Sequence, residues 1–444
     1  MHPKERLETS LQSPVSSSTG VAASHQKVAE LVEIALQCGA DDAAVVPVDH
    51  PALNRHGEEI QKHFPKAKSL LALVLKMNRE PIRHPARSVA NLEFHHVGDD
   101  ANTVARQVVR ELQQRGVYAV NPAMAFPMEM DRWPDKMWLV EHKRVAEAAG
   151  LGKMGIHRNV IHPKFGNFIL LATVVVGEAL PASGNPLTWN PCLECKLCVA
   201  ACPVGAVKPD GAFDFSACYT HNYREFMGGF SDWVENVASS SSGRNYRRKH
   251  SDSETVSLWQ SLSFGPNYKA AYCLAVCPAG EEVLPPFQTD RKQFVGETLR
   301  PLQAKKETLY VLKGSDAENY ARKKFPHKKT KRVHNGLRVS NLQQFQFGLR
   351  LLFQRDRAKD LKATFHFDFR GEEQRQLTIR ISGTSLEIEE GLQGMADVRV
   401  TADSATWLSY LARETSMAWA VVRGKIRIRG PIRLMLAFGR CFPS

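Results

Sequence analysis

The sequence predicts an α+β chain built from more than one independently cored unit. Three observations predict it: the length, a change in hydropathy period along the chain, and one dense run of cysteines between the two patterns. At 444 residues the chain is about three times an ordinary domain, so one core is not expected. With 43% hydrophobic and 24% charged residues, the composition is that of a folding globular chain, away from the disordered class.

The elements follow in order. Residues 1–24 are read as a disordered N-terminus: Met1 to Gly20 is polar and rich in Ser, with neither an apolar signal core nor a twin-arginine pair. His25 to Cys38 carries Val28, Leu31, Val32, Ile34 and Leu36 at helical spacing, and Ala43 to Val48 and Ser69 to Lys76 read as strands. Asp99 to Arg115 is helical through Val104, Val108, Val109 and Leu112, with Gly116 as its stop. Trp138 to Ala149 predicts a helix closed by Gly150, Leu151 and Gly152, and Asn167 to Val176 a buried strand. This alternation predicts an N-terminal α/β domain over 25–185. The longest apolar stretch, Phe168 to Val176, is far short of the roughly 20 residues of a membrane-spanning helix. No integral membrane segment is therefore expected, and the cytoplasm is the expected location.

Seven of nine cysteines fall between 192 and 277; Cys38 and Cys441 stand apart. Without a secretory signal, metal ligands or free thiols are expected rather than disulfides. Cys192, Cys195, Cys198 and Cys202, followed by Pro203, have the bacterial-ferredoxin spacing, in which three close thiolates hold one iron–sulfur cluster and the fourth holds another. Zinc sites usually draw on two separated pairs. Cys273, Cys277 and Pro278 repeat the ending, so Cys277 is expected to complete a four-iron cluster with Cys192, Cys195 and Cys198. Cys202, Cys218 and Cys273 remain for the second. Ala270 stands where its fourth cysteine would, which leaves a three-iron cluster or a four-iron cluster with His221, Tyr272 or water as a ligand. The double-cluster domain is set at 186–290, with an inserted, partly mobile loop at 229–266.

The net charge of +13 raises nucleic acid as a partner, but much of it lies in Arg244 to His250 and Arg322 to Arg332. These are read as exposed loop and basic linker, the latter within 291–340, and nucleic acid is not an expected partner. From 341 to 444 the period becomes that of strands. Ala363, Phe365, Phe367 and Phe369 alternate with polar residues, and four further short strands follow, with Asp403 placed to cap a helix through Trp407.

The cysteines, joined to Ala149-Gly150-Leu151-Gly152, Gly155 and the Gly166 turn into the next strand, resemble the epoxyqueuosine reductase and reductive dehalogenase superfamily over about residues 25 to 285. The resemblance implies a nitroreductase-like, corrinoid-type N-terminal domain and a ferredoxin-like domain with two clusters. It also implies a cobalamin near Gly150, Gly152, Gly155, His157 and Arg158, although Ile156-His157-Arg158-Asn159 departs from the lysine usual there. Asp135 is the implied proton donor, and His157 and His162 are further proton carriers to consider. Residues 341–444 resemble a sterol-carrier-protein-type lipid-binding domain through Ala396-Asp397-Val398, Thr401-Ala402-Asp403 and the segment Gly424 to Gly430. Its phenylalanines fit an apolar tunnel and a packed core equally. The function expected is reduction of an apolar or lipid-like small molecule, with electrons from an external donor such as ferredoxin or flavodoxin. The alternative is a cobalamin-free electron-transfer protein with a lipid-binding or adaptor domain.

Overall fold

A computed structural model describes residues 17–131, 133 and 138–443. The first sheet has the spatial order Asp42–Pro47, Ser69–Lys76, Ile169–Val176, Ala119–Val120, with every pair antiparallel. Leu71, Leu73 and Leu75 point to a core shared with the helices Ser17–Gln37 and Arg87–Gln114, whereas Leu70, Ala72 and Val74 enter a second core with His142–Ala148 and Arg55–His63. A strand covered on both faces reads as an unbroken apolar run, which is why Ser69–Lys76 lacks alternation. The first helix starts at Ser17, within the stretch expected to be disordered, and the helix expected from Trp138 begins only at His142.

The turn at Gly166 locks this domain onto the second cysteine motif. Gly166 has φ +66° and an added Cβ would stand 2.0 Å from the Ala279 carbonyl oxygen; Gly280, at φ +108°, faces the Gly166 backbone as closely. Backbone N–H groups of Glu281 and Glu282 donate to the carbonyls of Pro163 and Lys164 alongside. Gly166→Ala is expected to lower stability by about 2 kcal/mol or more, from the left-handed backbone and the clash together. Gly184→Ala, where a Cβ meets nothing within 4 Å, should leave the denaturation midpoint unchanged.

Two expectations are corrected. Residues 229–266 are not a loop but contribute the helices Gly228–Ala238, Gly243–Lys249 and Asp252–Phe264. Serines start two of them: Ser242 accepts from Asn245 N–H, and Ser251 forms a capping box with Glu254. Nor is 291–340 an extended linker. Thr308–Val311 pairs in parallel with Lys329–Arg332 across the helix Asp316–Lys324, preceded by helices Arg291–Thr298 and Arg300–Ala304. Several of its basic residues are paired, among them Lys328 with Glu307 at 2.6 Å, Lys331 with Glu254 at 2.7 Å and Arg332 with Glu318 at 2.7 Å.

The C-terminal sheet runs Ser385–Glu390, Arg375–Ser382, Lys362–Arg370, Val398–Asp403, Ile426–Arg429, antiparallel except for the parallel Lys362–Arg370 and Val398–Asp403 pair. All five strands stand where the alternation predicts them. Asp403 caps Ser404–Leu411 as expected, accepting from Thr406 N–H. Among the described residues no helix is long and apolar enough to cross a membrane.

Candidate iron–sulfur site and the concavity beside it

The two cysteine motifs fold alike. Lys196 and Ala271, each two residues before a cysteine, both take the left-handed conformation (φ +53° and +56°) and start the short helices Leu197–Ala201 and Tyr272–Ala275, which pack together. A non-glycine residue held there is strained, and such strain gathers at functional sites. Ala270 occupies the place matching Cys195.

Burial dominates the electrostatics of four of the seven thiols. Burial pushes Cys198 well up, helped by Cys273, Cys277, Cys195 and Cys192. Burial raises Cys277 to about 12, with Cys195 and Cys192 as its nearest thiol influences and Cys273 behind them. Cys218 is raised well above the ordinary thiol by burial and then by Cys273 and Cys202; Cys273 reaches about 12 through burial and Cys202. Reactive cysteines show depressed values, so this set is unsuited to nucleophilic work. A metal, which deprotonates a coordinating thiol outright, gives such a buried soft-donor set a role. Two sulfurs already accept backbone N–H groups: Cys192 from Ile156 at 3.4 Å and Cys202 from Ala206 at 3.1 Å. Among the described residues no three His, Cys, Asp or Glu side chains converge tightly enough for a single ion.

The protein groups considered as a fourth ligand differ in what occupies them. His221 Nδ1 accepts from Tyr310 N–H at 3.3 Å while its buried Nε2 has no hydrogen-bond partner, and burial lowers its pKa to about 4. The Tyr272 hydroxyl donates to Glu307 at 2.6 Å.

Lys143 and Tyr223 lie within electrostatic reach of Cys218 and Cys273. Lys143 is reached by solvent, yet burial among protein atoms lowers its pKa, opposed by Cys273 and Cys218. Tyr223 and Tyr268 are partly exposed but raised chiefly by burial, Tyr268 to about 12. They belong to an aromatic cluster, with ring centroids 5.0 Å apart for Phe94 and Tyr268, 5.6 Å for Tyr223 and Tyr268, and 6.2 Å for Phe126 and Phe226. Lys143 donates to the Arg158 carbonyl at 2.6 Å and to Asn159 Oδ1 at 3.2 Å.

The remaining expected site residues fall as follows. Gly150, at φ +82°, ends the His142–Ala148 helix, and an added Cβ would meet the Asn185 carbonyl oxygen at 2.7 Å. Gly152 is pressed on Val160 and Ile161, and Gly155 on His157. Protein fills the space beyond each Cα, so only backbone atoms of these glycines are left for a ligand. His157 is enclosed, with Nδ1 accepting from Asn159 N–H and Nε2 at 3.3 Å from Asn167 Nδ2. His162 is held by Asp42 at 2.9 Å. Arg158 is exposed at φ +65°. Asp135 lies outside the described residues. Sequence reasoning missed Lys143, Tyr223 and Tyr268; the basic residue on the helix leading into the Gly150 turn was the available signal.

The C-terminal phenylalanines form a packed core: Phe365, Phe367 and Phe369 are fully buried and stack with Trp407, Phe345 and Phe438.

Comparison with known proteins divides the chain in the same way. Residues 349–443 match the SCP-2 sterol transfer family model. The epoxyqueuosine reductase of Cellulophaga algicola is 28% identical over 229 residues, covering 45% of this chain and 70% of that protein. That of Gloeobacter violaceus is 27% identical over 164 residues, covering 37% of this chain and 49% of its own length. A solved epoxyqueuosine reductase from Bacillus subtilis aligns over 68% of this chain and 83% of its own, at 15% identity and a TM-score of 0.31.

Proposed function

We propose that this chain, an epoxyqueuosine reductase-like region joined to an SCP-2 sterol-carrier domain, is an iron–sulfur reductase acting on an apolar small molecule. The observation that carries this reading is that the two cysteine motifs fold alike and pack together, with an aromatic cluster and Lys143 near Cys218 and Cys273. Cys192, Cys195, Cys198 and Cys277 would hold one four-iron cluster, and Cys202, Cys218 and Cys273 a second of three or four irons. The cysteine region is read as ferredoxin-like and the N-terminal sheet with its helices as the nitroreductase-like, corrinoid-type domain. Clusters supply one-electron transfer, with ferredoxin or flavodoxin as the class of donor; a cobalamin, when bound, supplies a low-valent metal that reduces the substrate.

The chain's own residues serve this chemistry through position and charge. The thiols of Cys218 and Cys273 bring the second group near Lys143 and Tyr223. Lys143, fixed by the Arg158 carbonyl and Asn159, holds a cation there and can hand a proton to a reduced product. Phe94, Tyr223, Phe226 and Tyr268 narrow access and lower the local dielectric, which strengthens that charge. The SCP-2 domain stands close enough to present an apolar substrate. Its first helix, Leu342–Leu352, packs beside the Phe215–Asn222 helix that bears Cys218, and Gln344 donates to the Trp133 carbonyl at 2.9 Å, on the segment that also carries Phe126.

Anaerobic purification followed by iron, sulfide and corrinoid analysis tests the reading. Iron, sulfide and a bound corrinoid, native or taken up on reconstitution with cobalamin, are expected. Clusters without corrinoid even after reconstitution would leave the cobalamin-free electron-transfer protein instead, and absence of iron would remove both.

A further inference from the structure

Two arginines of the N-terminal domain have enclosed nitrogen atoms that no protein group satisfies. Nε and Nη2 of Arg83, and Nε and Nη1 of Arg87, are buried without a hydrogen-bond acceptor. Enclosing guanidinium N–H groups unpaired is among the costlier arrangements a fold can contain, and natural structures seldom leave them so. Neither residue is there by default of packing. Arg83 is clamped between the rings of Phe168 and Phe294, 5.3 Å from each centroid, and its one ion pair, to Glu80 at 3.5 Å, uses Nη1 alone. Arg87 lies over the Tyr272 ring at 5.5 Å. Ring faces offset part of the positive charge but leave the in-plane N–H groups of these atoms without an acceptor.

Both guanidiniums reach the second cysteine motif. The Arg79–Arg83 helix packs on the Tyr272–Ala275 helix, with Arg79 donating to the Glu282 carbonyl, and Arg87 lies on Tyr272, next to Cys273. Burial lowers the pKa of both arginines, against which Cys277 acts weakly on Arg83 and Cys273 weakly on Arg87. Each arginine therefore neighbours the cysteine that the second motif gives to one of the two thiol groups. The surroundings of Arg87 offer little to neutralise it: Glu307 is the one carboxylate on Tyr272, and it is already met by Lys328 at 2.6 Å and Lys305 at 3.5 Å.

We propose that Arg83 and Arg87 are built-in counter-charges, each giving N–H donors and a fixed positive charge to one of the two iron–sulfur clusters and so holding its reduction potential up. The inference rests on the cluster reading of the seven cysteines. A cluster held by thiolates is anionic, and each electron accepted from the external one-electron donor adds a negative charge without making or breaking a bond. A fixed cation in a low-dielectric setting stabilises the reduced form more than the oxidised one, and hydrogen bonds to the cluster sulfurs act in the same direction. Arginine stays charged at all working pH values, so the effect needs no titration.

The test is an EPR-monitored redox titration of the full chain, reconstituted anaerobically with iron and sulfide, for wild type, Arg83→Gln, Arg87→Gln and Arg87→Lys. Each Gln variant is expected to lower the midpoint of a different reduction step by at least tenfold in its equilibrium constant, about 59 mV for one electron. Arg87→Lys, which keeps the charge, should stay close to wild type. Unchanged midpoints in iron-replete Gln variants overturn the proposal. Should Arg87→Gln fail to take up iron, loading of Arg87→Lys decides: a loaded Lys variant supports the charge role, an empty one overturns it. Wild type that takes up no iron would sink the cluster reading itself, which is a separate outcome.

Discussion

In the anaerobically purified chain, Cys277→Ser is expected to remove about half of the bound iron and acid-labile sulfide, whereas Cys38→Ser removes none. Cys277 lies 85 positions after Cys192 in sequence, yet Cys195 and Cys192 act on its thiol more than Cys273 does, so under the proposed ligand assignment its loss should empty the first site and spare Cys202, Cys218 and Cys273. Serine keeps the volume but replaces a soft sulfur with a hard oxygen that iron in a sulfide cluster holds poorly. Cys277 is buried beside Ile161 and Ala279, where water has little room to substitute for the missing ligand. Cys38, partly exposed and away from both motifs, is the matched control. Iron and sulfide analysis beside the cluster absorbance reads the outcome. Full iron retention in Cys277→Ser would mean that the second motif does not complete the first site.

What sequence could and could not disclose follows from the range of the forces involved. The likeness of the two cysteine motifs was legible because turn geometry is local: Lys196 and Ala271 start matching helices, so the repeat in sequence is a repeat in space. The C-terminal strands were legible because one buried face imposes alternation on Phe365, Phe367 and Phe369. The segments 229–266 and 291–340 were misread because their order comes from distant partners. Lys331 finds its carboxylate on Glu254, and Gly205 leaves room for the Tyr320 ring, neither of which a sliding window sees. Lys143 and the aromatic wall were invisible for a related reason. An aromatic cluster assembled from Phe94, Tyr223 and Tyr268 joins residues distant in sequence, and no local motif encodes it.

The second large effect is expected far from the cysteines. Phe367→Ala should cost the C-terminal domain about 3–5 kcal/mol, the range for emptying a large buried ring site. Phe367 is wholly buried and its ring meets four others, with centroids 5.4 Å from Phe438, 5.5 Å from Trp407, 5.8 Å from Phe369 and 6.1 Å from Phe345. Domains have only about 5–15 kcal/mol of stability, so this loss should lower the domain's own melting transition by upwards of about 12 °C. The iron content should not follow. The C-terminal core shares no buried apolar residue with the cores that carry the cysteines. Its attachment is polar instead: Arg355 to Asp210 at 3.0 Å, Lys208 to Asp356 at 3.8 Å, and Gln354 accepting from Asp316 N–H at 2.8 Å. Polar contacts of this kind hold position but transmit little folding cooperativity compared with a shared apolar core. Calorimetry with parallel iron analysis distinguishes the cases: a single early transition that takes iron with it would show the two regions folding as one unit, whereas a shifted C-terminal transition over an iron-replete remainder would show that the C-terminal domain can be lost while the rest of the chain stays folded.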